Sequence, residues 1–311
     1  MAEAYIYDHV RTPRGRGKKD GSLHEVPTNR LAAGVLAELR DRNELDTSLV
    51  DDVVFGCVDP VMEAGGDVTR TAVLEAGYDE SVAGVQLNRY CASGLDSVNF
   101  AASKIMSGAD DVAIGGGVES ISMTRNRANT QDSWIAEHKP DLYLTMIETA
   151  DIVAERYGIT REAQDEYGLR SQLRMAAAQE ANLFADEIVP MQATMAVKDK
   201  VTEEISHKEV TVDRDECNRP QTNMDGLAGL QPVREGGFVT AGNASQLSDG
   251  SAAVVLMEAS DAERQGIEPL GAFKGFAVAG CEPDEMGIGP VYAIPRLLER
   301  HGLKIDDIDL W

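Results

Sequence analysis

The sequence predicts an α/β protein, on three observations. Short apolar runs such as Ala4–His9, Val53–Val58 and Val112–Ile114 alternate with stretches whose apolar residues recur every three or four positions, the pattern of strands joined by crossover helices. The alternation breaks after Ser120 into a polar stretch and resumes at Gly250–Met257. Finally, Leu39–Phe55 and Leu298–Trp311 share a helix end, a short link, an Asp-Asp pair and an apolar run, so a second half begins to repeat the first.

Taken in order, Ala4–His9 is a strand, and the basic, glycine-containing Arg11–Lys19 is a mobile loop, read either as an interaction site or as a solvated connection. Thr28 is placed to cap a helix in which Leu31, Val35, Leu36 and Leu39 share a face. Asp51-Asp52 precedes the buried strand Val53–Val58, with Cys57 as a core residue. A helix over about Gly66–Ala76 leads to an extended run that delivers Cys91 to the start of another helix. There Leu95, Val98, Ala101, Ala102 and Ile105 recur at helical spacing and Gly108 is a stop. Strand and helix in this order predict a parallel sheet. Ala150–Tyr157 and Thr160–Ala181 are helices, the second capped by Thr160, and the charge-dense Val197–Arg219 belongs to an insertion.

Composition limits the function. With 311 residues, 43% of them hydrophobic, the chain has room for two domains and a sizeable core. A net charge of −24 argues against nucleic acid and anionic membranes as partners. No run approaches the roughly 18 apolar residues of a membrane span, and Met1–Tyr7 lacks the pattern of a signal peptide, so a cytoplasmic location is expected. Cysteines at 57, 91, 217 and 281 have neither disulfide-framework nor metal-ligand spacing, which fits a reducing compartment.

Cys91 is the candidate nucleophile. Unpaired N–H groups and the positive end of the dipole at a helix start favour thiolate over thiol. The plainer reading is a small buried hydrophobe. Gly94, and Gly115-Gly116-Gly117 after the next apolar run, suggest a glycine-lined wall with room for a narrow substrate. Cys217 sits among Asp213, Asp215 and Glu216, which disfavour a thiolate, and Cys281 has no distinguishing feature.

The blocks Asn88–Leu95, Gly116–Ser120 and Gly242–Gly250 resemble, in order and spacing, the signature blocks of thiolases. Arg11–Gly15 and Gly289–Pro295 are similar to the same family, so the resemblance spans the chain. It implies duplicated βαβαβαββ halves in a layered α/β arrangement, with an inserted loop domain. The corresponding domains are 1–119 (N-terminal half), 120–241 (loop domain over the substrate's pantetheine arm), 242–266 (return to the N-terminal half) and 267–311 (start of the C-terminal half). On this repeat the counterpart of the Cys91 helix start falls beyond Trp311, so the second half is expected to be incomplete and the chain to be a truncated frame or fragment.

The resemblance also implies a reaction, acyl transfer between a 3-oxoacyl-CoA and CoA through a Cys91 acyl-enzyme, run as thiolysis in fatty acid β-oxidation or as the reverse condensation. Coenzyme A is then a substrate, with no resident cofactor and no metal. Ser245 matches the serine that meets the pantetheine amide. Met146 matches a tunnel methionine, with plain core packing as the alternative. Thr145 stands where short-chain biosynthetic members have histidine. Gln231 replaces an arginine near the nucleotide end, where Arg219 or Arg234 could compensate. Homo-oligomers, dimer or tetramer, are implied, or association with a β-oxidation multienzyme partner. The family's Asn-Glu-Ala-Phe, Gly-His-Pro and Cys-x-Gly motifs do not occur: His9, His24, His138, His207 and His301 all stand in other contexts. A non-catalytic acyl-CoA-binding or assembly subunit is therefore the second reading, and a decarboxylating ketosynthase a third.

Overall fold

The computed structural model describes residues 2–124, 131–199 and 201–311. In chain order its strands and helices are β1 (Ala4–Arg11), β2 (Gly15–Arg16), α1 (Thr28–Arg42), β3 (Asp52–Gly56), α2 (Val68–Glu75), β4 (Ala83–Leu87), α3 (Ser93–Ser107), β5 (Val112–Ser120), α4 (Ile121–Thr124), α5 (Ser133–His138), α6 (Met146–Arg156), α7 (Arg161–Glu180), β6 (Met191–Lys198), β7 (Ile205–Val212), α8 (Met224–Ala228), β8 (Ser248–Glu258), α9 (Ala259–Gln265), β9 (Gly271–Ala272) and α10 (Gly289–His301). They form two compact units. One comprises Met1–Arg127, Asn182–Cys217 and Gln246–Phe273; the other comprises Ala128–Ala181, Asn218–Ser245 and Lys274–Trp311. Residues between Ser120 and Gly242 thus contribute to both, and the β6–β7 hairpin clusters with the first.

The first unit is built on a sheet of order β4-β3-β5-β8-β1-β9, with β2 paired to β8. Alternation along β3 divides it into two faces. Val53 and Phe55 join Leu31, Val35 and Leu36 of α1 and Val68 and Val73 of α2 in one core. Val54 joins Ala101, Ala102 and Ile105 of α3 in another. The result is a three-layer helix–sheet–helix arrangement.

The sheet is mixed, which corrects the expectation of a parallel one. β4, β3 and β5 run parallel, whereas β8 lies antiparallel between β5 and β1. Crossover helices identify the first three strands as parallel. They say nothing about the direction of a strand that returns after more than a hundred residues of other structure.

Other local expectations shift as well. Thr28 is the first residue of α1 and makes no side-chain cap, because Pro27 occupies the cap position. The loop after β1 is tied down: the Arg11 guanidinium donates to both oxygens of Asp215 at 2.7 and 3.0 Å and to Glu187 at 2.6 Å. The backbone N–H of Arg14 reaches Asp215, and that of Arg16 reaches Glu216. The acidic Asp213–Cys217 run is therefore the anchor for the basic one. Ile308–Trp311 is not a strand. A short 3₁₀ turn, Ile305–Asp307, follows α10 as Thr47–Leu49 follows α1. It contains Asp306-Asp307, however, whereas Asp51-Asp52 comes after its turn with Asp52 already in β3. The two Asp-Asp pairs therefore do not coincide, and the residues after Asp307 pair with no described strand.

The second unit is helical. α6 opens with a capping box between Thr145 and Glu148, and Thr160 caps α7 as predicted. Asp165 is the buried residue of α7. Its partner Arg161, at 2.8 Å, also donates to the carbonyls of Leu227 and Leu230, tying α7 to α8. Arg156 pairs with Asp284 and Glu285, both at 2.5 Å.

Candidate functional site

Cys91 lies just before α3, two residues ahead of its first helical residue, in a tight turn at the C-terminal end of β4. The turn is closed by Ala92 N–H to Arg89 C=O (3.2 Å) and Ser93 N–H to Tyr90 C=O (2.9 Å). Tyr90 holds φ at +49°, a left-handed conformation that costs a residue with a Cβ roughly 1–3 kcal/mol and is kept where the surroundings enforce it. The bend exposes Cys91, whereas Cys57 and Cys217 are buried. Burial pushes the Cys57 thiol up to about 12, leaving it inert, as expected of a core cysteine.

The first-turn N–H groups of Gly94 and Leu95 find no acceptor among the described residues, as a helix start requires. Donors and the positive end of the α3 dipole therefore lie beside the cysteine. Gly108 ends the helix in the left-handed conformation with φ +75°.

The glycines beyond the cysteine have a different role from the one expected of them. A Cβ on Gly115 would lie 2.6 Å from the Val98 Cα, and one on Gly117 would lie 3.2 Å from the Gly94 Cα. A Cβ on Gly56 would collide with the Ser93 carbonyl carbon. These glycines do not line an open substrate wall; α3 itself fills that space by lying directly on β3 and β5. What they provide is depth, seating the cysteine-bearing turn at the carboxyl ends of the parallel strands.

Glu119, at the end of β5, is half-buried. Its carboxylate accepts the Val58 N–H at 2.7 Å, and burial raises its pKa against the pull of that bond. Asn88 donates from Nδ2 to the Val58 carbonyl at 3.0 Å, and its Oδ1 accepts the Tyr90 N–H at 2.7 Å. Ser93 Oγ accepts the Arg89 N–H at 2.7 Å and donates to the Tyr90 carbonyl at 2.6 Å. Sequence reading singled out neither side chain; an asparagine two residues before a turn amide is the local signal that could have marked Asn88.

The other predicted site residues lie in the second unit. Met146 is the first residue of α6 and is 60% exposed, so it is not core packing. Ser245 is exposed, and the loop before it is built: Thr240 N–H donates to Asn243 Oδ1, and Asn243 Nδ2 donates to Asp165 and to the Phe238 carbonyl. Arg234 contacts Asp151 at 3.3 Å and Glu148 at 3.7 Å. Arg219 is exposed, with its backbone N–H held by Gln172 Oε1 at 2.8 Å, and its guanidinium has no ion-pair partner among the described residues. Ser248 and Asp249, expected to shape a loop, are instead the first residues of β8, paired with Arg16 and Gly15 of β2; one accepts from Arg14 Nε at 2.6 Å and the other from the Ser122 N–H at 2.9 Å. Among the described residues, no group of three or more His, Cys, Asp or Glu is placed to hold a metal ion. No described helix is long and apolar enough to cross a membrane.

Comparison with known proteins agrees with this arrangement. The model of the thiolase N-terminal domain matches residues 4–260, and that of the thiolase C-terminal domain matches residues 267–311. The chain is 42% identical to a 3-ketoacyl-CoA thiolase of Bacillus subtilis, over all of this chain and 80% of that protein. It is 41% identical to the 3-oxoadipyl-CoA/3-oxo-5,6-dehydrosuberyl-CoA thiolase of Escherichia coli, with the same coverage. A peroxisomal 3-ketoacyl-CoA thiolase A of Mus musculus is 40% identical over 97% of this chain and 70% of its own length. The crystal structure of an acetyl-CoA acetyltransferase from Bacillus anthracis superposes with a TM-score of 0.86 at 36% identity, covering all of this chain and 79% of that one. With an α/β fold matching theirs and sequence similarity along its whole length, the chain belongs to the thiolase family of acyltransferases.

Proposed function

We propose that this thiolase transfers an acyl group between a 3-oxoacyl-CoA and coenzyme A, with Cys91 as the acyl carrier. The Cys91 thiolate adds to the 3-oxo carbonyl. The bond between C2 and C3 then breaks, its electrons leaving as the enolate of acetyl-CoA, which takes up a proton. The acyl group, now a thioester on Cys91, passes to the sulfur of a second coenzyme A and the cysteine leaves as thiolate. Run backwards, the same steps condense two acyl groups. The Cys91 N–H, at the helix start, is the donor we assign to the developing oxyanion. The observation behind this reading is the exposed thiol on a strained turn at the N-terminus of α3. The names of the relatives point to 3-oxoacyl-CoA substrates.

For coenzyme A, as substrate and not resident cofactor, we assign Arg219 to the nucleotide end. It is exposed and keeps its charge available, whereas Arg234 is engaged by Asp151 and Glu148 and serves the loop. The exposure of Met146 and Ser245 suits contact with the pantetheine arm. A cytoplasmic, reducing setting suits four free cysteines. A homo-oligomer is supported by the open edge of the sheet at β4 and by the exposed Tyr90 and Leu95 after it.

Mass spectrometry tests the first half-reaction. Incubated with acetyl-CoA or acetoacetyl-CoA, the chain is expected to gain one acyl group on Cys91, and Cys91→Ala to gain none. No adduct on the parent chain, or an undiminished one on Cys91→Ala, overturns the proposal.

A further inference from the structure

Tyr90 departs from ordinary backbone geometry immediately before the nucleophile, yet its side chain is 75% exposed and contributes little packing to hold it there. What restrains it is polar. Its N–H is taken by Asn88 Oδ1 at 2.7 Å, and its carbonyl receives both the Ser93 hydroxyl at 2.6 Å and the Ser93 N–H at 2.9 Å. Ser93 Oγ also accepts the Arg89 N–H at 2.7 Å, so the three successive peptide groups from Asn88 to Cys91 are each gripped.

Asn88 does more than close a local turn. Its Nδ2 reaches the carbonyl of Val58, in the loop after β3, at 3.0 Å. The Val58 N–H in turn is held by Glu119, at the end of β5, at 2.7 Å. β4, β3 and β5 are successive parallel strands of the sheet. One run of hydrogen bonds therefore crosses the carboxyl ends of three strands and finishes on the residue before Cys91, so that the turn is referenced to the sheet and not only to its own loop. Ser93 is buried and Asn88 exposed, so the clamp has one foot in the core and one at the surface beside the thiol.

We infer that Asn88 and Ser93 are positioning residues that, by holding both polar groups of Tyr90, keep the Cys91 sulfur within reach of the α3 N-terminus, where its nucleophilicity is greatest. This rests on the reading of Cys91 as the nucleophile. It does not require turnover to be tested. Relaxation of Tyr90 toward ordinary geometry would swing the cysteine away from the helix start and make the thiol a slower nucleophile.

The test is the rate at which iodoacetamide alkylates Cys91 near neutral pH, with the modified residue located by mass spectrometry. Asn88→Ala and Ser93→Ala are each expected to slow alkylation about tenfold, while Ser93→Thr, which keeps the hydroxyl, stays within about threefold of the parent. Ile105→Val, buried in the same helix, lowers thermal stability without changing the rate, which separates positioning from loss of stability. Folded alanine variants that react as fast as the parent or faster overturn the inference, as does an equal slowing by Ile105→Val. If Asn88→Ala does not fold, the contrast between Ser93→Ala and Ser93→Thr decides the same question. Should the alkylation pattern hold while acetyl-CoA fails to acylate the parent chain, the clamp stands and the acyl-transfer reading falls.

Discussion

The two units are stabilised by different means. In the first, Leu31, Val35, Leu36, Val53, Phe55 and Ile114 are fully buried, and glycines bring α3 into backbone contact with the sheet. In the second, much of what is buried is polar, including Asp151, Asp165, Thr240 and Glu285. Each of these three carboxylates has a named arginine or amide partner. Apolar burial near 25 cal/mol per Å² suits a rigid platform for the turn that carries Cys91, because close-packed elements have few alternative arrangements. Hydrogen-bonded carboxylates suit loops that must hold a definite path while leaving side chains such as Met146 and Ser245 exposed.

The largest effect that would sharpen this contrast belongs to the platform. In Gly116→Ala the new methyl group would sit 2.7 Å from Phe55 and closer still to the Ala252 carbonyl. Because one obstacle is backbone, the cost is expected to be about 3 kcal/mol or more. Urea unfolding followed by far-UV circular dichroism measures it, and a variant within about 1 kcal/mol of the parent would mean that the close packing has been overstated.

A smaller and more local effect is expected in the second unit. Asp151 accepts the N–H groups of Phe238 at 2.8 Å and Val239 at 3.2 Å and pairs with Arg234. Asp151→Ala leaves those donors without an acceptor, at roughly 2 kcal/mol. Amide hydrogen exchange should show loss of protection at Phe238 and Val239 with Cys91 alkylation unchanged. A change spread evenly over the sheet would contradict a contrast between the units.

The smallest effect is a pH dependence. Burial raises the Glu119 carboxyl above its ordinary value of 4.5, so the folded chain holds this proton more tightly than the unfolded one. The group then withdraws stability as pH rises from that value through its folded one. Glu119→Gln, which keeps an acceptor for Val58 and does not titrate, is expected to flatten the fall in melting temperature as pH rises above 4.5. An unaltered slope would remove Glu119 from the account.

Much of this was legible in the residues themselves. Leu31, Val35, Leu36 and Leu39 announce the buried face of α1, Thr160 and Gly108 mark helix ends, and Cys91 in its block declares the family. These are short-range signals: a helix period, a cap and a turn depend on neighbours a few residues away, and a linear chain displays them directly. Other features need distant segments to meet. The antiparallel entry of β8 between β5 and β1, the use of Gly115–Gly117 for packing, the engagement of Arg234 by Asp151, and the grip of Asn88 on Val58 all join residues distant along the chain, from Gly115 and Val98 to Ala4 and Glu258. Composition alone does not say which donor meets which acceptor at that range. Sequence by itself therefore determined the family and the cysteine proposed to react, while the tertiary structure decided what holds that cysteine's turn, because a motif is read from neighbouring residues, whereas position depends on which strands end side by side.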